Sequence, residues 1–291
     1  MELTCDLHTH STFSDGTLTP TQLVEEAQRC GLAAVALCDH NTVAGLPEFL
    51  AAAEGKRVET VPGIEFSTDH FGTELHMLGL FIEPEYYEQV TDLLEDFRIR
   101  KDRSNAELVE ALGREGYYLN YESIKAGTPN GQVNRAHIAA ALMEQGYVSS
   151  VKEAFKTLLA PKHGYYKPPE RLNVFDAIRF IKSVRGMAVL AHPFLNLDEG
   201  ALRTFLPQAK DCGLDGMETI YSSYDAETAG IAARMAAEFG LKRSGGSDFH
   251  GANKPDIQLG VGKGNLYIPL KILEDLKRVR AAAGIKMCET K

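Results

Sequence analysis

Short aliphatic and β-branched runs alternate with amphipathic stretches along most of this chain. "ELTCDLHTH" opens it as a strand. Thr19 is then the expected N-cap of a helix, with Pro20 at its first position and Gln22 completing a capping box. Leu23, Val24 and Ala27 recur at helical spacing, and Gly31 ends the helix. "AAVALCDH" reads as a buried strand, followed by a helical stretch through "PEFLAAAEG". "VETVPGIEFST" and "TELHMLGLF" are two more strands. Further on come "GMAVLAHP", "LDGMETI" and "LKRSGGSDFH", each after a helix-like segment. Repeated strand–helix units predict an α/β protein with a mainly parallel sheet, and this many of them favour a barrel.

The spacing is uneven. A barrel spends about 30 residues on each strand–helix unit, but the stretch between His76 and His192 is far longer. The excess is mostly helical in pattern: "YYEQVTDLLEDFRIRKDRSNAELVEALGREG", "NRAHIAAALMEQG" and "VKEAFKTLLA". These segments predict a helical insertion over residues 97–165, at one mouth of a barrel built from 1–96 and 166–291.

Composition narrows the class. The 291 residues are 44% hydrophobic and 24% charged, ordinary for a globular protein. No apolar run approaches the length of a membrane span, and the first residues lack the basic-then-apolar order of a signal peptide. The five cysteines (Cys5, Cys30, Cys38, Cys212, Cys288) include no CxxC pair, which suits free thiols in a reducing, cytoplasmic setting. A net charge of −9 argues against a general nucleic-acid coat. Bound divalent cations would nonetheless reverse the field locally and admit a phosphate.

The histidines and carboxylates mark where such cations would sit. His8 and His10 are two residues apart, so on a strand both leave one face. Asp15 follows in "STFSDG". His40 ends the second strand, Glu65 the third, His76 lies in the fourth, His192 ends the next, and Asp248 and His250 end the last. Each residue alone reads as easily as a hydrogen-bonded strand end. Six of the nine histidines and three carboxylates in one register predict a metal site on the catalytic face of the barrel. Imidazole and carboxylate donors without thiolates suit manganese, zinc or iron(II). Nine donors suffice for two to three ions if one carboxylate bridges. Three ions, Asp15, Glu65, Asp248 and a bridging hydroxide would leave a charge of roughly +2, a setting for a phosphate dianion, with acidified water as nucleophile.

Taken together, "DLHTHSTFSDG", "ALCDHNT", "PGIEFST", "ELHMLGL", "VLAHP" and "GGSDFH" resemble the PHP (polymerase and histidinol phosphatase) family, which is related to the amidohydrolases. The resemblance covers most of the chain and keeps the order of the motifs. It implies a distorted (β/α)7, TIM-like barrel and a metal-dependent phosphoesterase acting through a metal-bridging hydroxide. By that resemblance one metal would take His8, His10, Glu65 and Asp248. A second would share Glu65 with His76 and His192, and a third would take Asp15, His40 and His250. Glu65, Asp248 and His192 would then be catalytic as well.

The insertion and "NRAHIAAAL" resemble the subgroup that removes the 3′-phosphate of nucleoside 3′,5′-bisphosphates and trims short RNA from its 5′ end. By that resemblance Arg135 and His137 would contact substrate phosphate, and a guanidinium suits bidentate binding. His137 could also protonate the leaving oxygen, or only cap its helix. "GYYKPPERL" and "ETIYSSYDAE" depart from the subgroup's usual residues, so a small cyclic sugar phosphate stays open as the substrate.

Other features point less far. Arg98, Arg100, Lys101 and Arg103 form a basic cluster that either draws in an anionic substrate or is a solvated helix face. Asp6 and Asp39 adjoin the histidines and are expected to fix imidazole tautomers. Cys5 and Cys38 read as core packing, and His70 and His163 as surface residues. Two other classes compete with the phosphoesterase. Amide hydrolysis or deamination also uses an HxH strand, but has no use for a third site. A non-catalytic, metal-stabilised binding module would hold metal without turnover.

Overall fold

The computed structural model describes residues 2–128, 133–169 and 171–282. Its contacts divide the chain into two compact units, residues 1–91 with 172–291, and residues 92–171. Among the described residues the first unit carries eight strands. They are β1 (Cys5–Asp6), β2 (Ala34–Leu37), β3 (Glu59–His70), β4 (Thr73–Leu80), β5 (Leu172–Asn173), β6 (Met187–Ala191), β7 (Gly216–Tyr221) and β8 (Lys242–Gly246). Its helices include α1 (Pro20–Arg29) and α2 (Leu46–Ala52). The long α3 (Tyr87–Arg114) runs on into the second unit, which also holds α4 (Tyr121–Ala126), α5 (Arg135–Glu144) and α6 (Val151–Lys156). The first unit resumes with α7 (Val174–Ser183), α8 (Glu199–Asp211), α9 (Ala226–Glu238) and α10 (Lys271–Ala282).

Seven strands follow one another in the order β1-β2-β3-β4-β6-β7-β8, and β5 pairs with β3 off this path. The sheet curls until its ends meet. Leu7 N–H donates to the Gly245 carbonyl at 3.2 Å, and Asp248 N–H to that of His8 at 2.9 Å. The result is a nearly closed, distorted barrel. Its sheet is mainly parallel but not wholly so, because β4 runs antiparallel to both β3 and β6. The reason is local. The chain turns back at Phe71-Gly72, where both residues have positive φ, so β3 and β4 form a hairpin rather than a crossover unit.

Alternation along the strands sends Cys5, Leu7, Ala34, Ala36, Val61, Leu78 and Val189 into one buried apolar cluster. Local signals hold where expected. Thr19 caps α1, its side chain accepting from Gln22 N–H while Gln22 accepts from Thr19 N–H. Cys5 and Cys38 are buried, and burial pushes the Cys5 thiol up to about 12, so packing is their role. Cys30 and Cys212 are also free thiols; Cys288 lies outside the described residues.

His70 meets its expectation only in part. It is half-buried, and its ring lies edge-on to Phe175 and Phe205, with centroids 5.4 and 5.0 Å away. An aromatic edge contact needs no polar partner, so no motif announced it. His163 is exposed, as expected, and stacks on Tyr165.

The second unit has its own apolar cluster, including Leu108, Leu112, Ile138 and Leu142. The basic stretch in α3 is partly neutralised on its own helix. Arg98 pairs with Glu95 and Arg103 with Glu107, while Arg100 lies over the Phe97 ring. Among the described residues no helix is long and apolar enough to cross a membrane.

Candidate metal centre

The opening "DLHTHSTFSDG" is a strand end folded into a tight polar loop. Past β1 the chain stays extended, and His10 N–H donates to the Phe249 carbonyl at 2.9 Å, so His8 and His10 lie against Asp248 and His250. Gly246 permits this approach: a Cβ there would come within 2.2 Å of the His8 Cβ. Asp39 then gathers the loop, accepting from Ser11 N–H at 2.8 Å and from the Ser11 and Ser14 hydroxyls at 2.6 Å each. That brings Asp15 back to within 3.1 Å of His250 Nε2. His40 leaves β2 opposite Glu65 on β3. The antiparallel direction of β4 delivers His76 from mid-strand to the same mouth. His192 and Asp248 have φ of 29° and 59°, a conformation that costs non-glycine residues on the order of 1–3 kcal/mol and is found where function needs it.

Glu65 lies at the centre and is fully buried. Its Oε1 is 2.8 Å from His76 Nδ1 and 3.1 Å from His192 Nε2. Its Oε2 is 3.2 Å from His8 Nε2, 3.3 Å from His10 Nε2 and 3.1 Å from His40 Nδ1. Asp248 Oδ1 is 3.2 Å from His10 Nε2 and 3.4 Å from His250 Nδ1. Three overlapping groups have donor atoms close enough to share an ion: His10, Asp15, His40 and His250; His8, His10 and Glu65; and His40, Glu65 and His76. Seven of the nine residues singled out in the sequence fall in these groups, and His192 and Asp248 lie against them through Glu65 and His10.

The donor set fits divalent cations on its own geometry. Donors each about 2.0–2.1 Å from a common ion lie roughly 3.0–3.4 Å apart, and the spacings above fall in or near that interval. Several contacts are poor hydrogen bonds. His8 Nε2 faces His10 Nε2 at 3.2 Å, and His10 Nδ1, His40 Nδ1 and Glu65 Oε2 are buried without a hydrogen-bond partner. Buried polar atoms left unpaired cost free energy, and an ion would satisfy them.

The electrostatics of the cluster's own side chains are those of competing charges. Burial opposes charge on His10, but Asp248 and Glu65 raise it to about 9. Against the same burial, Glu65 and Glu74 raise His76 to about 10. For His40 burial wins, leaving it at about 3. Despite burial, His8, His40 and His76 hold Glu65 well below the usual carboxylate range. A metal would displace protons from His10 and His76.

The residues that hold the donors in place differ from those expected. Asp6 touches no imidazole; it accepts from the N–H groups of Ser247 at 2.9 Å and Gly260 at 2.8 Å. Asp39 shapes the loop as described. Carboxylates that do hold imidazoles are Glu74, with Oε1 3.3 Å from His76 Nε2, and Glu218 on β7, fully buried, with Oε1 3.1 Å from His8 Nδ1 and Oε2 accepting from His192 N–H at 2.7 Å. His8 Nε2 is thereby turned toward the cluster. The only sequence signal for it is an acidic residue inside the apolar run "GMETIY". His250 is fixed by the Asp248 carbonyl, 2.8 Å from its Nδ1. On Asp248 itself, Oδ2 accepts from the Tyr221 hydroxyl at 2.8 Å and Lys254 Nζ at 2.7 Å. Neither residue carried a motif.

In the second unit, Arg135 is the first residue of α5, its guanidinium 4.5 Å from the centre of the Tyr166 ring and 5.7 Å from that of Phe155. His137 belongs to the cap of the same helix: its Nδ1 accepts from Asn134 N–H at 3.1 Å, while Asn134 Oδ1 accepts from the N–H groups of Ala136 and His137.

The PHP domain family model matches residues 6–166, more than half of the chain. The chain belongs to the PHP family. This PHP chain is 36% identical over 246 residues to a 5′-3′ exoribonuclease of Haemophilus influenzae, covering 84% of this chain and 89% of the relative. It is 31% identical over 252 residues to a phosphoribosyl 1,2-cyclic phosphate 1,2-diphosphodiesterase of Eggerthella lenta, covering 84% and 94%. A 3′,5′-nucleoside bisphosphate phosphatase of Chromobacterium violaceum is 30% identical over 249 residues, covering 84% and 86%. Among solved structures, one from Bifidobacterium adolescentis described as a metal-dependent phosphoesterase superimposes with a TM-score of 0.83 at 29% identity, covering 96% of both chains. This PHP protein is a metal-dependent phosphoesterase, and its barrel is the distorted TIM-like barrel that the motifs implied.

Proposed function

We propose that this enzyme hydrolyses the 3′-phosphate of nucleoside 3′,5′-bisphosphates or a related small phosphate ester, with short RNA 5′ ends as a further substrate. Two to three divalent ions, manganese first and zinc or iron next, would be held as follows: His8, His10, Glu65 and Asp248; Glu65, His76 and His192; Asp15, His40 and His250. The observation that carries this is Glu65, whose two oxygens face two different sets of imidazoles, as a bridging carboxylate must. When bound, such ions supply Lewis acidity toward phosphoryl oxygens and water of lowered pKa.

The chain's own residues would set the geometry. Glu65 and Asp248 hold the histidines in register and offset the excess positive charge. Glu218 and the Asp248 carbonyl fix the tautomers of His8 and His250, so that Nε2 of each points inward. Arg135 would bind a phosphate through the edge of its guanidinium while the face stays on Tyr166. His137 would assist at the same phosphate, through a ring already oriented by the cap. The exoribonuclease and bisphosphate phosphatase relatives support this substrate class.

The cyclic phosphodiesterase relative favours a second reading, in which a small cyclic sugar phosphate is opened and then dephosphorylated. The deciding experiment measures phosphate release by the manganese-loaded protein from adenosine 3′,5′-bisphosphate and, separately, from a cyclic ribose phosphate. AMP as the sole nucleotide product supports the first reading; turnover of the cyclic ester alone supports the second. Activity on neither, with metal bound, would point to the binding module. Arg135→Ala should raise KM by an amount equivalent to about 1.5–3 kcal/mol, the worth of a charge-assisted hydrogen bond. Unchanged kinetics would remove Arg135 from the site.

A further inference from the structure

Beside the donor cluster a cleft of about 270 Å³ opens to solvent, its wall including His40, Glu65, His76, His192 and Asp248. Among the described residues lining it, Lys254 is the one lysine or arginine. We propose that Lys254 is the barrel's own contact for the substrate phosphoryl group, holding one of its oxygens above the cluster. The proposal rests on the cluster being the metal centre.

Three observations support it. First, Lys254 is not required to satisfy Asp248. The Tyr221 hydroxyl, on a side chain that is almost wholly buried, already donates to Asp248 Oδ2 at 2.8 Å. Second, an ammonium carries three donors, and Lys254 spends one on Asp248 at 2.7 Å. Its side chain is still 38% exposed, at the cleft wall. Third, the base of that side chain is held. Thr17 Oγ1 accepts from Ala252 N–H at 2.8 Å, and Asn253 Nδ2 donates to the Asp15 carbonyl at 2.7 Å. The segment that carries the cation is therefore tied to the loop that carries Asp15. A flexible stem on a fixed base can move its charge from Asp248 to an arriving dianion without disturbing the cluster, whereas the buried phenol keeps Asp248 oriented.

The test is orthophosphate binding to the manganese-loaded full chain, measured by calorimetry beside metal content, for wild type, Lys254→Gln, Lys254→Arg and Tyr221→Phe. Lys254→Gln should weaken phosphate binding roughly ten- to a hundred-fold with manganese content unchanged, and Lys254→Arg should restore part of the loss. Tyr221→Phe should act the other way round, lowering manganese affinity more than phosphate affinity at full metal loading. Unchanged phosphate affinity in fully loaded Lys254→Gln would overturn the proposal. So would loss of manganese from that variant, because the ammonium would then serve only to hold Asp248. A wild-type chain that binds none of manganese, zinc and iron(II) would instead refute the metal centre itself.

Discussion

The barrel mouth and the helical unit invert the usual relation between burial and polarity. In residues 92–171 the buried cluster is apolar, with Leu108, Leu112, Ile138 and Leu142 all inaccessible. Charges there pair on the outside at helical spacing, as Arg103 does with Glu107 and Arg114 with Glu110. At the barrel mouth the buried side chains are His8, His10, Glu65, His192, Glu218, Asp248 and His250, packed against one another. The first arrangement is stable as it stands. The second leaves polar atoms unpaired and two site residues at positive φ, so it stores free energy that a bound cation can release. A substitution in one region should therefore cost stability, and in the other metal and turnover.

The sharpest break is Glu65→Gln. Losing the charge of the proposed bridging carboxylate should cut turnover on the order of 10³-fold or more, with partial loss of metal, in a chain that still folds. Assay and metal analysis on the same sample check this, and full activity would remove Glu65 from the centre. Leu142→Ala is the counterpart in the helical unit. Truncating a fully buried leucine should cost about 2–5 kcal/mol in denaturant unfolding while metal content stays at wild-type level. A parallel loss of metal would show that the two regions are not separable in this way.

Smaller effects refine the picture. Glu218→Gln should weaken metal affinity about 10–100-fold, because one amide cannot serve both His8 and the His192 N–H as a carboxylate does. Competition with a chelator would measure it, and unaltered affinity would reduce Glu218 to a packing residue. The smallest effect is a slope with pH. In the ion-free protein His10 at about 9 and His76 at about 10 lie above the ordinary 6.5. Their ion pairs stabilise the fold fully below 6.5, and that contribution fades as pH rises through 9 and 10. A metal needs the neutral rings, so its contribution has the opposite sign. The rise in Tm on adding manganese should be larger at pH 8.5 than at pH 6. A flat or falling increment would mean that other groups control binding.

What the sequence by itself determined was the inventory. The start of helix α1 is set by residues within three positions of each other, Thr19 and Gln22, and such local signals need no tertiary context. Eight of the nine donor positions were legible for a related reason: each is a metal-binding residue type in or just beyond an apolar run, so hydrophobic patterning and donor chemistry coincide, whereas Asp15, in the polar loop "STFSDG", was legible only from the motif around it. Tertiary structure decided which atoms meet. Glu218 and His8 are 210 positions apart, and nothing local pairs them. The two acids that lay near the histidines in sequence, Asp6 and Asp39, bind backbone and hydroxyl groups instead. The direction of β4, and hence the arrival of His76 at the mouth, follows from a hairpin rather than from the periodicity of its residues. Periodicity reports which face of an element is buried, whereas strand direction and hydrogen-bond partners depend on how the whole sheet closes.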